Sequence, residues 1–389
     1  MVTVLTRTIG PSGRDYASFT LAEADVTNIG TSGDLVANDE AIVFEADAAD
    51  YSGNFQFFTG GALTCDAARN VTWTHATGAG HGGQFESGAN IVGYCLIQED
   101  HAVVDGLSVS PSSGFATQVA NGIVGPILRN LMSYSTNNNA IKLQLGGTAS
   151  DPGVVENCVG KSGSSRPFDI RSEGSGSDSH WRVINNTAIP GSSSQGFIIG
   201  ISSSDTIYLE ATNNLILGTR GWFEMPSGYT LSLTGSNNFG PASNPVPSAI
   251  EGSPNPITAT TDTDPGAGDW AIYDATTGAL VFDSDNDVLL GGVGPDSDSD
   301  VPTTDIVGTA RVGTTCDPGA FEVTPKDVLP TGIPSGETFG TLSIDTTITV
   351  TAGRGIVSTE AFGTALIAGA DLVVTGIASA EVFGRPALE

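Results

Sequence analysis

Basic residues are scarce in this chain: 14 Lys and Arg stand against 43 Asp and Glu in 389 residues, a net charge of −29. A surface so acidic repels phosphate backbones and anionic bilayers, which speaks against nucleic acid and membrane partners and favours solubility and divalent cations. No run of 18 apolar residues exists, so no stretch has the length and apolarity of a membrane-spanning helix. The opening Met1-Val2-Thr3-Val4-Leu5-Thr6-Arg7 lacks a basic region followed by an apolar one, so no secretory signal is read there and the expectation is a chain made and folded in a cytoplasm. Cysteine is limited to Cys65, Cys95, Cys158 and Cys316, with no C-x-x-C or other metal spacing. A Ser-His-Asp order, a phosphate loop and a dinucleotide fingerprint are also missing.

Glycine, at 51 residues, together with abundant Ser, Thr and Asn, suits a turn-rich β protein and not one of long helices. From Val103 to Phe239 one short pattern recurs six times: an apolar strand, a two-residue corner and a second short run. The copies are Val104-Asp105-Gly106-Leu107, Leu128-Arg129-Asn130-Leu131, Val155-Glu156-Asn157-Cys158, Ile184-Asn185-Asn186-Thr187, Thr212-Asn213-Asn214-Leu215 and Ser236-Asn237-Asn238-Phe239. Gly106, Asn130, Asn157, Asn186, Asn214 and Asn238 lie 24, 27, 29, 28 and 24 residues apart. A period in that range with strand-like flanks marks a solenoid.

Asn, like Gly, tolerates the left-handed backbone that a sharp bend between strands requires. Stacked bends would set each Asn amide about 4.8 Å from its counterpart in the next coil, within reach of a hydrogen-bonded ladder. Such a ladder spares buried polar groups a cost of about 1 to 3 kcal/mol each. The expected fold is all-β, a right-handed single-stranded parallel β-helix, with Asn130, Asn157, Asn186, Asn214 and Asn238 as one structural column. An antiparallel sandwich is the alternative, but its turn signals should recur every 8 to 12 residues or so. Cys158 falls on an apolar rung and reads as a small core residue. Cys65 and Cys95 could lie one coil apart, which leaves a disulfide between them open.

Residues 1–40 read as an N-terminal cap: a strand near residues 3–9, then a short helix opened by the capping box Thr20-Leu21-Ala22-Glu23, with Phe19, Ala22 and Val26 on the face that covers the first coil. Residues 41–240 form the β-helix, its first coils less regular, with strand-like runs at 41–45, 55–58, 71–74 and 91–97. Residues 241–322, rich in Pro, Gly, Asp and Thr, read as a loop-rich C-terminal cap, and residues 323–331, with Pro325 and Pro330, as a linker. A second repeat follows over residues 332–389. The pattern G-I-x-S-x-E-x-F-G starts at Gly332 and returns after 23 and then 21 residues. In a strand, Ile333, Glu337 and Phe339 would share one face, as would Ile356, Glu360 and Phe362, and Ile377, Glu381 and Phe383. Units this small bury little alone, so they are expected to pair with copies from neighbouring chains, the glutamates setting register.

Two further stretches carry a resemblance. The run Asp305-Ile306-Val307-Gly308-Thr309-Ala310-Arg311, followed by Asp317-Pro318-Gly319-Ala320-Phe321-Glu322, resembles the terminal D-x-x-G-x-x-R and D-x-G-A-x-E segments of right-handed parallel β-helix repeat proteins of the pectate-lyase-like type. The opening Thr6-Arg7-Thr8-Ile9-Gly10 to Asp15-Tyr16 is similar to the start of β-helix proteins of tailed bacteriophages, and the C-terminal repeats resemble those of phage tail and virion proteins. The resemblance implies a structural protein on the virion surface, of fibre or spike type, assembled in the host cytoplasm. It implies a homotrimer that joins other virion proteins through the C-terminal repeats and contacts host surface polysaccharide. A capsid decoration protein or head fibre, and a polysaccharide-degrading tailspike enzyme, are the alternatives.

The enzyme alternative directs attention to carboxylates. Asp105 and Glu156 would lie two coils apart, about 9 to 10 Å, near the spacing of an inverting glycosidase. Arg129 falls between them, and an acid-base-acid stack reads first as a structural ion-pair ladder, so no catalytic set is assigned. Asp169, Arg171 and Glu173, with Asp178 and His180, alternate as on the wet face of a strand or along a sugar groove. His75, His81 and His101 are scattered, and residues 78–83 read as a flexible turn. Asp283, Asp285 and Asp287 could offer oxygen ligands to calcium, but lack the Gly and distal Glu of an EF-hand; no cofactor is expected. Trp181, Tyr208, Trp222, Phe223, Tyr229, Trp270 and Tyr273 are candidates for stacking on sugars if exposed.

Overall fold

The computed structural model describes residues 1–30, 33–57, 63–144, 146–172, 178–190, 196–201, 206–216, 223–224, 230–236, 238, 272–274, 279–281, 294–295, 302–308, 310–311, 315–316 and 319–320. The chain divides into two units, Met1–Val323 and Thr324–Glu389, and every described residue belongs to the first. The repeats of residues 332–389, the linker at 323–331 and the acidic residues Asp283, Asp285 and Asp287 lie outside the described residues.

Strands too short to fold alone are stabilised here by stacking on their own repeats. A nine-stranded first wall begins with Thr3–Ile9 and Glu40–Ala46 and ends at Thr230–Ser236; a second and a third wall hold seven strands each. Each coil visits the walls in turn, as in Val103–Asp105, Ser108–Val109 and Thr117–Val119, and successive coils pair in parallel. The protein is an all-β parallel β-helix. Its first coils are in continuous register with the later ones, Ile42 pairing with Val71 and Thr72 with Val103. The run at 91–97 divides into Ala89–Val92 and Cys95–Ile97 because the chain turns there from the second wall to the third.

Alternation supplies the core. Phe44, Trp73, Val104, Leu128, Val155, Val183 and Ala211 stack in one inward column of the first wall, none more than 2% exposed. Each large side chain so buried contributes about 1.5 to 3 kcal/mol. Trp73 lies flat between Phe44 and Phe57, at 4.1 and 4.4 Å between ring centroids, and Phe168 stacks on Phe197 at 4.6 Å. Trp181 fits beside Gly153, its partner in the previous coil, where a Cβ would meet the indole ring.

The second wall is covered on both faces. Asn90, Ser108, Met132, Val159, Thr187 and Leu215 form its outward row, yet none is more than 2% exposed. At one end the Glu86 N–H reaches over to Ser108 Oγ at 3.0 Å; at the other the Ala320 N–H reaches Thr187 Oγ1 at 2.9 Å.

A lid closes the N-terminal end. The helix Phe19–Asp25 buries Phe19 and Ala22, with Val26 buried just after it, and the Phe19 ring packs edge-on against Tyr51 and Phe55. The helix starts earlier than the Thr20 capping box predicts: Ser18 is the N-cap, its side chain accepting the Leu21 N–H at 3.3 Å. The earlier start follows from the core, since Phe19 must already be helical to face it.

Candidate functional site

The bend from the first wall to the second is built from two columns. Gly106, Asn130, Asn157, Asn185 and Asn213 take φ of 69, 53, 52, 54 and 56°, and strand register sets them one above another. The residue after each forms the second column: Leu107, Leu131, Cys158, Asn186 and Asn214, with Asn238 next. The five asparagines expected in a single column are therefore split, Asn130 and Asn157 lying at the corner and Asn186, Asn214 and Asn238 one position further on. Glu156 pairs with Ile184, so Asn157 stacks on Asn185, one residue short of the spacing read from sequence. The Asn-Asn doublets of the later coils conceal that slip.

The inner column is a ladder. Asn186 Nδ2 donates to Asn214 Oδ1 at 3.0 Å, and Asn214 Nδ2 donates to Asn238 Oδ1 at 2.8 Å. Backbone N–H groups of Cys158, Asn186 and Asn214 donate to the Oδ1 atoms of Asn186, Asn214 and Asn238 at 2.9, 2.9 and 3.0 Å. The amides also donate to the carbonyls of Val155, Val183 and Ala211. All three side chains are fully buried, so the ladder satisfies main-chain groups that the bend removes from the sheets. The outer column is bonded more loosely, Asn157 Nδ2 to Asn130 Oδ1 at 3.4 Å.

Two distant segments dock on that outer column. His81, 3% exposed, bonds the Asn130 carbonyl through Nε2 at 2.7 Å and accepts the Gly83 N–H on Nδ1 at 2.9 Å, which assigns the proton to Nε2. Burial pushes its pKa down to about 4, against the pull of the Asn130 carbonyl. Residues 78–83, expected to be a flexible turn, are thus pinned to the solenoid. The second segment, a strap, is described at residues 302–308, 310–311 and 319–320. Asn157 Nδ2 donates to the Thr304 carbonyl at 2.7 Å, the Arg311 guanidinium donates to Asn157 Oδ1 at 3.0 Å and to the Gly319 carbonyl at 2.9 Å, and the Gly319 N–H donates to the Asn213 carbonyl at 2.6 Å. Asp305 shapes the strap's turn by accepting the Val307 N–H on Oδ1 and the Gly308 N–H on its carbonyl, with Gly308 at φ 85°. The D-x-x-G-x-x-R spacing is therefore a turn followed by a latch. The motif is visible in the sequence, but its docking surface, 154 residues upstream at Asn157, is not.

Asp105, Arg129 and Glu156 follow one another up the outer face of the first wall. Arg129 Nε lies 2.9 Å from Asp105 Oδ2, and Asn130 Nδ2 donates to Asp105 Oδ1 at 2.8 Å. Burial raises the Glu156 pKa above the ordinary carboxyl range, Arg129 opposing it and Asp105 adding to it. A second ion pair joins Arg182 to Glu210 at 3.0 Å across adjacent coils. Asp169, on the third wall, is buried, pairs with Arg171 at 2.7 Å and accepts a bond from Asn139. Lys161 lies 5.8 and 5.1 Å from the ring centroids of Phe85 and Tyr134, and burial lowers its pKa to about 8.

The remaining candidates separate. Asp178 accepts the Thr206 N–H, His180 stacks on Tyr208, His75 bonds the Ala76 carbonyl and His101 lies 3.4 Å from Asp151. Trp181 is buried and donates to the Gln144 carbonyl, whereas Tyr208 is 38% exposed. Glu173, Trp222, Tyr229, Trp270 and the side chains of Phe223 and Tyr273 lie outside what the structure describes. Cys65, Cys95 and Cys158 are free thiols, so the bridge left open between Cys65 and Cys95 is not formed. Among the described residues no group of three or more His, Cys, Asp or Glu is arranged to hold a metal ion, and no helix is long and apolar enough to cross a membrane. Comparison with family models, with curated proteins and with solved structures returns no match to this chain.

Proposed function

We propose that the chain is a structural protein on the surface of a tailed-phage particle, of fibre or spike type, whose β-helix meets glycans of the host surface. The observation that carries a scaffold role is the way carboxylates on the walls are used. Asp105 is engaged by Arg129 and Asn130, Asp169 by Arg171 and Asn139, and Glu210 by Arg182, so these acids serve the register of the solenoid. The viral assignment rests on the resemblance of the opening stretch and of the repeats at residues 332–389. Those repeats are proposed to join three copies of the chain and to attach them to other virion proteins. Gold-labelled antibody against this chain should decorate the outside of whole particles. Label on the head would favour the decoration-protein alternative, and particles without label would refute the virion role.

One observation favours an enzyme instead: Glu156 has a raised pKa and shares its row with a second carboxylate, as a general acid would. The two readings differ for Glu156→Gln. On the scaffold reading the variant melts at the same or a higher temperature at pH 7, because a partly buried charge is removed, and host capsule incubated with either protein stays intact. Capsule clearing by the native chain that disappears in the variant, with unchanged melting, would establish the hydrolase or lyase.

A further inference from the structure

His180 and Tyr208 occupy the same rung position in consecutive coils of the first wall, and their rings lie parallel, 4.4 Å apart and inclined by 2°. The same position in the next coil is Ser232. Its side chain is too short to extend the stack, so among the described residues Tyr208 has a ring neighbour on its His180 side and a serine on the other. Two residues along each strand, on the same face, stand Arg182, Glu210 and Thr234. Arg182 Nε donates to Glu210 Oε2 at 3.0 Å, which holds the carboxylate beside the rings.

We propose that this ledge binds one pyranose unit of a neutral glycan, lying over Ser232 with its C–H face on the Tyr208 ring and its hydroxyls towards Glu210 and Thr234. The inference rests on the surface role given above and names the place and ligand class of the contact. The rung spacing of about 4.8 Å leaves one ring thickness above Ser232, matching the separation His180 and Tyr208 already keep. A flat apolar face suits an aromatic ring, and a carboxylate with a hydroxyl suits the donors and acceptors around a sugar. The net charge of −29 disfavours an acidic sugar.

Saturation-transfer NMR on the full chain with methyl glucoside, methyl galactoside and methyl N-acetylglucosaminide tests the site, with methyl glucuronide as the acidic control. At least one neutral pyranoside should receive saturation on its axial ring protons, and the glucuronide less. Tyr208→Ala should weaken binding about 2- to 10-fold, the equivalent of one ring contact. Ser232→Trp, which fills the ledge without removing any packing, should weaken it as much, while Ser232→Thr retains it. No response to any neutral pyranoside, or native responses in both Tyr208→Ala and Ser232→Trp, would overturn the inference. Labelled particles combined with absent sugar binding would remove this site and leave the surface role standing; sugar binding by a protein absent from particles would do the reverse.

Discussion

Asn214→Ala is expected to destabilise the solenoid by about 2 to 6 kcal/mol, a large share of the roughly 5 to 15 kcal/mol that holds a typical domain folded. Its side chain is fully buried and holds four bonds: it accepts from the backbone N–H and the Nδ2 of Asn186, and donates to Asn238 Oδ1 and the Val183 carbonyl. Truncation strips the Asn186 N–H and the Val183 carbonyl of this partner at about 1 to 3 kcal/mol each, whereas Asn186 Nδ2 keeps the Val155 and Ile184 carbonyls and Asn238 Oδ1 keeps the backbone N–H of residue 214. Asn130→Gly, by contrast, keeps the left-handed bend while removing one bond to Asp105 and one weak bond from Asn157 at a half-buried corner, and should cost about 1 to 2 kcal/mol. Urea unfolding of both variants checks the contrast, with hydrogen exchange over residues 184–216 to detect local opening in a repeat structure. Equal losses would mean that the inner ladder has no special weight.

Acidification from pH 7 to pH 4 should cost about 3 kcal/mol through His81 alone, given its fall from the ordinary 6.5 to about 4. The folded pKa is lowered, so the unfolded chain takes up the proton first. The stability is therefore fully present above about pH 6.5 and drains away as the pH falls towards 4. Lowered carboxyl pKa values at Asp15, Asp25 and Asp66 add losses of the same sign, while Glu156, with its raised pKa, works the other way. The difference between the native chain and His81→Asn isolates the imidazole. Urea midpoints measured at pH 7 and pH 4.5 should converge for the two proteins at the lower pH, and parallel pH slopes would contradict the assignment.

Much of the architecture is legible in the residues because the β-helix repeats its constraint. The left-handed bend selects Gly106, Asn130 and Asn157, and strand alternation places Val104, Leu128 and Val155 in the core. Register to a single residue is not legible, because Asn185-Asn186 and Asn213-Asn214 offer two equivalent choices and only strand pairing decides between them. The outward row of the second wall escapes for another reason. The apolar Met132, Val159 and Leu215 share the row with the polar Asn90, Ser108 and Thr187, a mixture that does not announce burial. Their covering comes from segments remote in the chain, as does the anchoring of His81 on Asn130. The charged row is the opposite case: Asp105, Arg129 and Glu156 stack as their spacing suggests, whereas the raised Glu156 pKa depends on burial that spacing does not reveal.

The strap also imposes an order of events on synthesis. Arg311 bonds Asn157 and also the Gly319 carbonyl, and Gly319 is seated on the Asn213 carbonyl, so the full set of these bonds forms only once the coils from Asn157 to Asn213 have stacked. Closing so long a loop is slow and rewarded only at the end, so winding of the coils precedes fastening of the strap. A nascent chain arrested before residue 302 would lack the Ala320 N–H on Thr187 Oγ1 and the Gly319 backbone against Leu215, leaving a surface that a folding helper could recognise as unfinished.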